Sequence, residues 1–271
     1  MQNSSSLGRT IRIERRLSSG GFGRVFQATH IPTGRPLAVK LLVSGPGAAR
    51  EASILSYLRD KGPFVMFIGV FEAEPGVSAL ALELLGAPLH EAVKTNSHFW
   101  FQKRKVYTQT LQCLERLHEL GIMHRDIKPG NFCVGLMGSQ KRKVKLVDFG
   151  LAVQVEGETD EVRKPGFVGT AHFASPFVHN GFEYCFLDDM ISLFYVWVDL
   201  SIGLPWRELT TLESVFEVKA KTKLASLGQA VGGPIEKVGI WLGALCFHPE
   251  ARIQPLDFTT LYSLLGEEKS C

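Results

Sequence analysis

The spacing of the apolar residues changes near Gly86, and this change constrains the fold more than any other feature of the chain. Before Gly86, apolar runs of strand length alternate with Gly and Pro, at residues 10–16, 24–29, 36–43, 64–71 and 77–84. Helical spacing occurs once in that half, at 48–59, and then at 99–120, 188–202, 212–221, 233–247 and 257–265. The pattern predicts an α+β fold, with a small β-rich lobe that contains one main helix and a larger, mainly helical lobe.

The 271 residues are enough for one domain made of two such lobes. We expect an N-terminal tail at residues 1–10, the small lobe at 11–85 and the larger lobe at 86–271, with the domain itself covering 11–265. No apolar run reaches membrane-spanning length, and the polar N-terminus shows no secretory signal. The sequence therefore predicts no membrane partner.

Charge and cysteine content exclude further classes of protein. Thirty Lys and Arg against 27 Asp and Glu give a net charge of +3, too small for a dedicated nucleic-acid binder. The five cysteines are odd in number and form no C-x-x-C, which indicates neither a disulfide framework nor a zinc site. Reduced thiols predict a location in the cytoplasm or the nucleus.

The most specific motif is the string H-R-D-I-K-P-G-N at residues 124–131. Five of its positions follow the pattern H-R-D-x-K-x-x-N, which would occur by chance in such a chain with odds of about one in ten thousand. Asp148 follows Asn131 by 17 residues, within V-D-F-G at 147–150, and ends an apolar strand predicted from Val144. A match this specific indicates shared chemistry rather than coincidence.

A glycine-rich turn at residues 18–23 lies between two predicted strands. Its glycines allow backbone N–H groups to approach phosphate oxygens, although a tight hairpin turn without a ligand explains the same residues. Lys40 ends the next apolar strand, and its ammonium suits phosphate oxygens if a carboxylate holds it. Glu51, 11 residues further on, is the candidate carboxylate. Taken singly, each charge is better explained as a solvated surface group.

In this order, the turn, Lys40, Glu51, the string at 124–131 and Asp148 match the protein-kinase signature set. The chain resembles a eukaryotic protein kinase over residues 11–265. Within that family it resembles the casein kinase I superfamily, most closely its tau-tubulin kinase branch. The segments that carry this narrower resemblance are E-L-L-G at 83–86, K-P-G-N-F at 128–132, F-V-G-T at 167–170, S-P-F at 175–177, D-D-M-I-S-L at 188–193 and G-L-P-W at 203–206.

The resemblance implies a two-lobed serine/threonine protein kinase that transfers the γ-phosphate of Mg-ATP to hydroxyl groups of protein substrates. Asp126 would orient the substrate hydroxyl, Lys128 would stabilise charge on the γ-phosphate, and Thr170 would brace both side chains. Asp148 would bind the Mg²⁺ that bridges the phosphates, and Asn131 would bind a second Mg²⁺.

The resemblance also assigns a nucleotide site. Lys40, paired with Glu51, would contact the α- and β-phosphates beside the turn that contains Gly20 and Gly23. The adenine would lie among apolar side chains and against the backbone at the lobe junction. By this resemblance Leu17, Val25 and Ala38 form its roof, Leu82 its back, Cys133 and Val147 its floor, and the backbone of Glu83 and Leu85 meets its polar edge.

The same resemblance makes His124 and Asp189 anchors of the catalytic-loop backbone rather than groups that touch substrate. Phe186 and Leu187 replace the basic residues with which casein kinase I relatives bind acidic substrates, which does not support a preference for such substrates. An acidic run at residues 156–161 is hypothesised to pair with Arg125 in place of a phosphate. A solvated acidic loop is the alternative interpretation of that run.

Two other functions fit parts of the sequence. A pseudokinase would keep the fold as a binding module without turnover, but Lys40, Asp126, Asn131 and Asp148 are all present. A small-molecule phosphotransferase of related fold is the second alternative. The complete string at 124–131 and the segment around Thr170 favour protein substrates over small molecules.

Overall fold

The structure is a computed structural model that describes residues 6–7, 10–20, 23–95, 103–136, 143–155 and 166–267. The chain divides into two compact units. The first comprises Met1–Ala87 and Cys133–Gly150, and the second comprises Pro88–Phe132 and Leu151–Cys271. The acidic run at 156–161 and two residues of the glycine-rich turn, Gly21 and Phe22, lie outside the described residues.

The first unit is built on an antiparallel sheet with the strand order β1-β2-β3-β4-β6-β5. Its strands are β1 (Ser6–Leu7), β2 (Ile11–Gly20), β3 (Gly23–His30), β4 (Arg35–Val43), β5 (Phe67–Glu74) and β6 (Val77–Glu83). β4 and β6 lie inside the sheet, and each has four consecutive buried residues. β5 forms an edge, and its exposed residues alternate with less exposed ones. The predicted β-rich lobe is confirmed.

Two strands have boundaries that differ from the sequence prediction. β2 continues beyond its predicted end at residue 16. Register shifts between Ile13 and Ser18 interrupt the two-residue alternation, so its second half lacks the pattern of a strand. β5 begins at Phe67 rather than at 64, because Phe64 instead forms an isolated parallel bridge with Leu146.

Helix α1 (Pro46–Leu58) is the main helix of the first unit. Its proline lies in the first turn, where a backbone N–H has no helical partner to lose. The helix buries one face, whose residues are three or four positions apart. These buried residues are Ala48, Glu51, Ile54, Leu55 and Leu58. An apolar face thus carries the carboxylate of Glu51 into the interior.

A small two-stranded sheet lies almost wholly in the first unit, although the sequence predicts these residues in the larger lobe. Its strands are β8 (Phe132–Val134) and β9 (Val144–Leu146). The Gly86 N–H donates to the Val134 carbonyl (2.7 Å), and the Leu146 N–H donates to the Pro63 carbonyl (2.9 Å). These backbone bonds explain why residues 133–150 group with the sheet.

The second unit is mainly helical, as the apolar spacing predicts. Its helices are α2 (Leu89–Thr95), α3 (Lys103–Glu119), α4 (Pro176–His179), α5 (Phe186–Ile202), α6 (Leu212–Lys221), α7 (Leu224–Val231), α8 (Gly233–Leu245) and α9 (Phe258–Leu265). A small sheet pairs β7 (Ile122–Met123) with β10 (Val153–Gln154). Residues 187–198 of α5 are all buried, so this helix lies at the centre of the unit.

The sequence predicts no helix at α2 or α7. These helices have seven and eight residues, about two turns each, which is too short for a periodic apolar pattern to stand out. Among the helices that the structure describes, none is both long and apolar enough to cross a bilayer. The four described cysteines, Cys113, Cys133, Cys185 and Cys246, form no disulfide with one another.

Candidate active site

Three charged side chains meet in the interior of the first unit. Lys40 on β4 and Glu51 on α1 are 4% and 3% exposed. The Lys40 Nζ lies 2.7 and 2.9 Å from the two carboxylate oxygens of Glu51 and 2.6 Å from Oδ1 of Asp148. Burial lowers the pKa of Lys40, but the Asp148 and Glu51 carboxylates outweigh it and raise the pKa above its ordinary value. The ammonium is therefore charged at neutral pH.

Asp148 follows β9 and differs from its two partners in exposure. Its side chain is 30% exposed, whereas those of Lys40 and Glu51 are 5% and 3% exposed. Its φ of 63° is left-handed, a conformation that a non-glycine residue adopts only when its surroundings fix it. The next residue, Phe149, is buried and packs edge-on against Phe64 at 6.0 Å. These contacts fix the backbone at Asp148, whose carboxylate therefore both binds Lys40 and remains partly exposed to solvent.

The string at residues 124–131 lies in the second unit, and its hydrogen bonds centre on Asp126, which is 5% exposed. Thr170 Oγ1 donates to Asp126 Oδ1 (2.7 Å), and Lys128 Nζ donates to Asp126 Oδ2 (2.6 Å). Lys128 also reaches Thr170 Oγ1 at 3.1 Å. The Asn131 amide nitrogen donates to the Asp126 carbonyl (2.8 Å), at the end of a short 3₁₀ turn. Both oxygens of the Asp126 carboxylate are thus held in fixed directions.

Asp189, in the first turn of α5, holds the backbone of the string at 124–131. Its carboxylate accepts hydrogen bonds from the backbone N–H groups of His124 (2.8 Å) and Arg125 (3.0 Å) and from the Tyr184 hydroxyl (2.7 Å). His118 Nε2 lies 3.1 Å away. Burial raises the pKa of Asp189, but the hydrogen bond and charge of His118, followed by those of His124, outweigh it and lower the pKa. The ionised carboxylate stabilises Arg125, whose φ of 64° is also left-handed.

Gly169 brings Thr170 to the catalytic loop. Its φ is +97°, and a Cβ at this position would lie 2.5 Å from the Arg125 carbonyl oxygen. Any side chain would therefore push the backbone away from the loop. Glycine here permits the close approach that places the Thr170 hydroxyl on Asp126.

The glycine-rich turn is the end of the β2–β3 hairpin. Gly20 lies opposite Gly23, and Val25 lies opposite both Ser18 and Lys40 on the neighbouring strands. Gly23 has a φ of +127°, and a Cβ there would lie 2.7 Å from the carbonyl oxygen of Leu41. Glycine at this position therefore allows β3 to lie close to β4 beside the turn, because the Leu41 carbonyl oxygen occupies the place that a Cβ would need.

Comparison with known proteins settles the family. The sequence profile described as the protein kinase domain matches residues 11–229. The chain belongs to the protein kinase family. A Dictyostelium discoideum protein named a probable serine/threonine-protein kinase is 32% identical over 220 residues, which cover 77% of this chain and 44% of that protein. The chain thus spans less than half the length of this curated relative.

The adenine-site residues that the sequence assigns all lie in the first unit of the kinase domain. Ala38 and Leu82 are buried and directly opposite each other on β4 and β6. Leu17, at the second β2 bulge, is 40% exposed, and Val25, Leu85, Cys133 and Val147 are half-buried. Backbone bonds between 86–87 and Val134 bring the segment of Leu85 next to the strand of Cys133.

An ion pair in the first unit of this kinase domain is not among the predicted site residues. Lys145 Nζ lies 2.5 Å from Oε1 of Glu83, and the same oxygen accepts a hydrogen bond from the Met66 N–H (2.7 Å). The Glu83 N–H in turn donates to the Met66 carbonyl (2.9 Å). A lysine inside the short apolar strand V-K-L was the available signal, because a charge in such a strand needs a partner.

Three further residues of the kinase domain carried no motif. His118 contacts Asp189, Arg252 pairs with the buried Asp188, and Lys219 is buried behind the segment that follows Thr170. Each lies far in sequence from the group that it contacts. Only the fold brings these pairs together, so spacing along the chain could not reveal them.

Proposed function

We propose that this kinase domain transfers the γ-phosphate of Mg-ATP to serine and threonine hydroxyls of proteins. The observation that carries the proposal is the Asp126 carboxylate, held on both oxygens by Thr170 and Lys128. A carboxylate so fixed can accept a hydrogen bond from an incoming hydroxyl and orient its oxygen for attack. The name of the Dictyostelium relative supports the choice of serine and threonine.

The residues of the first unit suit a nucleotide triphosphate. Lys40, buried and charged, would bind phosphate oxygens while Glu51 holds it in place. The buried Ala38 and Leu82 would contact the adenine ring. Because the Glu83 N–H already donates to Met66, the Glu83 carbonyl would meet the polar edge of the base.

The donor set also suits Mg²⁺, which proteins usually hold through one or two carboxylates together with substrate phosphates and water. Asp148 presents a half-exposed carboxylate, and Asn131 presents an amide. Asp148 would hold one ion and Asn131 a second, and their role would be to neutralise charge on the phosphates. The side chain of Lys128 is 26% exposed and bonds to Asp126. Its positive charge would stabilise the γ-phosphate during transfer.

We further propose membership of the casein kinase I superfamily, near its tau-tubulin kinase branch. The sequence segments at 128–132, 167–170 and 175–177 support this placement. Ser175 begins α4 by accepting a hydrogen bond from the Val178 N–H (3.2 Å), at the place where most kinases have A-P-E. A substrate preference profile measured on a peptide array tests the placement.

The proposal is tested by phosphate transfer from radiolabelled Mg-ATP to casein and to a degenerate Ser/Thr peptide pool. Asp126→Asn keeps the shape of the side chain but removes the carboxylate, and we expect transfer to fall about 10²- to 10⁴-fold. Glu119→Gln, an exposed change on α3, is the matched control and should keep full activity. Nucleotide binding without transfer by the folded wild type would instead indicate a pseudokinase.

A further inference from the structure

Lys219 on α6 is a buried amine that the catalytic machinery does not account for. It is 1% exposed. None of the ion pairs among the described residues includes it, although buried lysines almost always have a partner of opposite charge. Its Nζ instead donates to two backbone carbonyls, those of Ala171 and Ala174, each at 2.6 Å.

The two carbonyls belong to the segment that directly follows Thr170. The segment begins as a turn, in which the N–H groups of Phe173 and Ala174 both donate to the Thr170 carbonyl (2.9 Å). Trp206 Nε1 donates to the His172 carbonyl, also at 2.9 Å. Side chains from other elements therefore take three carbonyls of a segment that has no strand or helix ladder of its own.

We propose that Lys219 is a positioning residue for phosphate transfer, because it fixes the segment 170–174 and so keeps Thr170 on Asp126 and Lys128. The inference rests on the proposed function, since Thr170 matters only if Asp126 acts on a substrate hydroxyl. A side chain that only filled space would not need to donate. Two carbonyls at 2.6 Å require a donor for each of them.

The surroundings of Lys219 are consistent with this role. Its Nζ lies 5.0 and 5.2 Å from the ring centroids of Tyr195 and Trp206. Burial lowers the pKa of Lys219 to about 6, and a neutral amine still has two N–H groups, one for each carbonyl. His179 is also close: its Nε2 lies 3.1 Å from the Ala171 carbonyl oxygen and 3.4 Å from Nζ.

The protonation state of His179 is consistent with these hydrogen bonds. Burial and the nearby Lys219 lower the pKa of His179 to about 4, so its ring is neutral at pH 7. A neutral ring with its proton on Nε2 donates to Ala171, so that carbonyl accepts from both Lys219 and His179. The Phe216 ring stacks on His179 at 5.5 Å and fixes its plane.

The test compares Lys219→Gln and Lys219→Met with the wild type and with Val215→Ala. Glutamine keeps an N–H₂ group on a shorter side chain, and methionine fills similar volume without a donor. Val215 is buried on the same helix, so its truncation reports destabilisation alone. For Lys219→Met we expect amide hydrogens of residues 173–174 to exchange at least about tenfold faster, and kcat for peptide to fall at least about tenfold.

Nucleotide Kd should change less than about twofold in every variant, and glutamine should lie between lysine and methionine. Equal exchange and equal kcat in the wild type and Lys219→Met would overturn the inference, as would the same changes in Val215→Ala. If Lys219→Met does not fold, the comparison of lysine with glutamine decides in the same way. If the wild type transfers no phosphate, the proposed function fails, while the exchange measurement still tests the positioning role.

Discussion

Three charged side chains in this kinase domain are buried, and each is bound by polar or charged partners. Lys40, Asp126 and Asp189 are each at most 5% exposed, and each bonds to at least two partners. Removing a charge from water is costly, and hydrogen bonds in a fixed geometry offset that cost. Loss of one partner leaves the other charge buried and uncompensated.

At the lobe junction, Lys145→Met should weaken nucleotide binding. The change removes the cation from Glu83, whose backbone would meet the adenine, while the bond from the Met66 N–H remains. The two side chains are 15% and 17% exposed, so water screens their pairing in part. We expect Kd for ATP to rise about three- to tenfold by calorimetry. The exposed Lys143→Met should leave Kd unchanged, and an equal rise in both variants would contradict the role of Glu83.

The pKa of Lys219 predicts a dependence of stability on pH. Its pKa falls from 10.5 to about 6 on folding. Between these values the unfolded state binds a proton that the folded state does not, so stability rises with pH. The difference in free energy of unfolding between the wild type and Lys219→Met should rise by up to about 1.4 kcal/mol per pH unit. Urea denaturation at pH 6.5, 7.5 and 8.5 measures this difference, and a constant value would contradict the shift.

At the scale of elements, one buried carboxylate joins the ends of α4 and α5 to a 3₁₀ turn. Asp188, in the first turn of α5, accepts a hydrogen bond from the Ser175 hydroxyl. Arg252, in the turn Pro249–Arg252, bonds to both oxygens of Asp188 at 3.1 and 3.0 Å and to the Glu183 carbonyl. Asp188 is fully buried, so the junction depends on Arg252 remaining in place.

Arg252→Met should therefore destabilise the folded state strongly. The variant leaves the buried Asp188 without its cation, for which a loss of about 3–5 kcal/mol is expected. Denaturant titration measures the change. Arg207→Met is the matched control, because Arg207 is 49% exposed and lies 3.8 Å from Asp199, a pair worth about 0–1 kcal/mol. Similar losses in both variants would mean that burial of Asp188 is not the cause.

The elements also show what sequence can predict here. Long apolar segments, such as α5 and β4, follow directly from their apolar residues. The short helices α2 and α7 and the bulged end of β2 do not, because two turns or a register shift leave no period to detect. The same limit applies to Lys219 and Arg252. Lys219 is 45 residues from Ala174 and Arg252 is 64 residues from Asp188, and no local pattern specifies such pairs.

At the scale of the whole molecule, the residues of the proposed reaction are divided between the two units. Lys40, Glu51 and Asp148 belong to the first, and Asp126 and Thr170 belong to the second. The string at 124–131 and the strand before Asp148 are close in sequence, yet the chain passes from one unit to the other between them. Each unit forms its own hydrogen-bonded cluster, and one reaction would require both clusters at once.

This division predicts that losses in the two units will not multiply. Lys40→Met should weaken ATP binding and cut kcat/KM, whereas Asp126→Asn should cut kcat with Kd for ATP nearly unchanged. The effects of groups that act on one transition state are strongly non-additive. The kcat/KM of the double variant should therefore lie within about tenfold of that of the less active single variant. Single-turnover transfer and calorimetric ATP binding measure the two effects separately. A double variant slower by the full product of both losses would mean that the clusters contribute independently, and that no shared transition state links them.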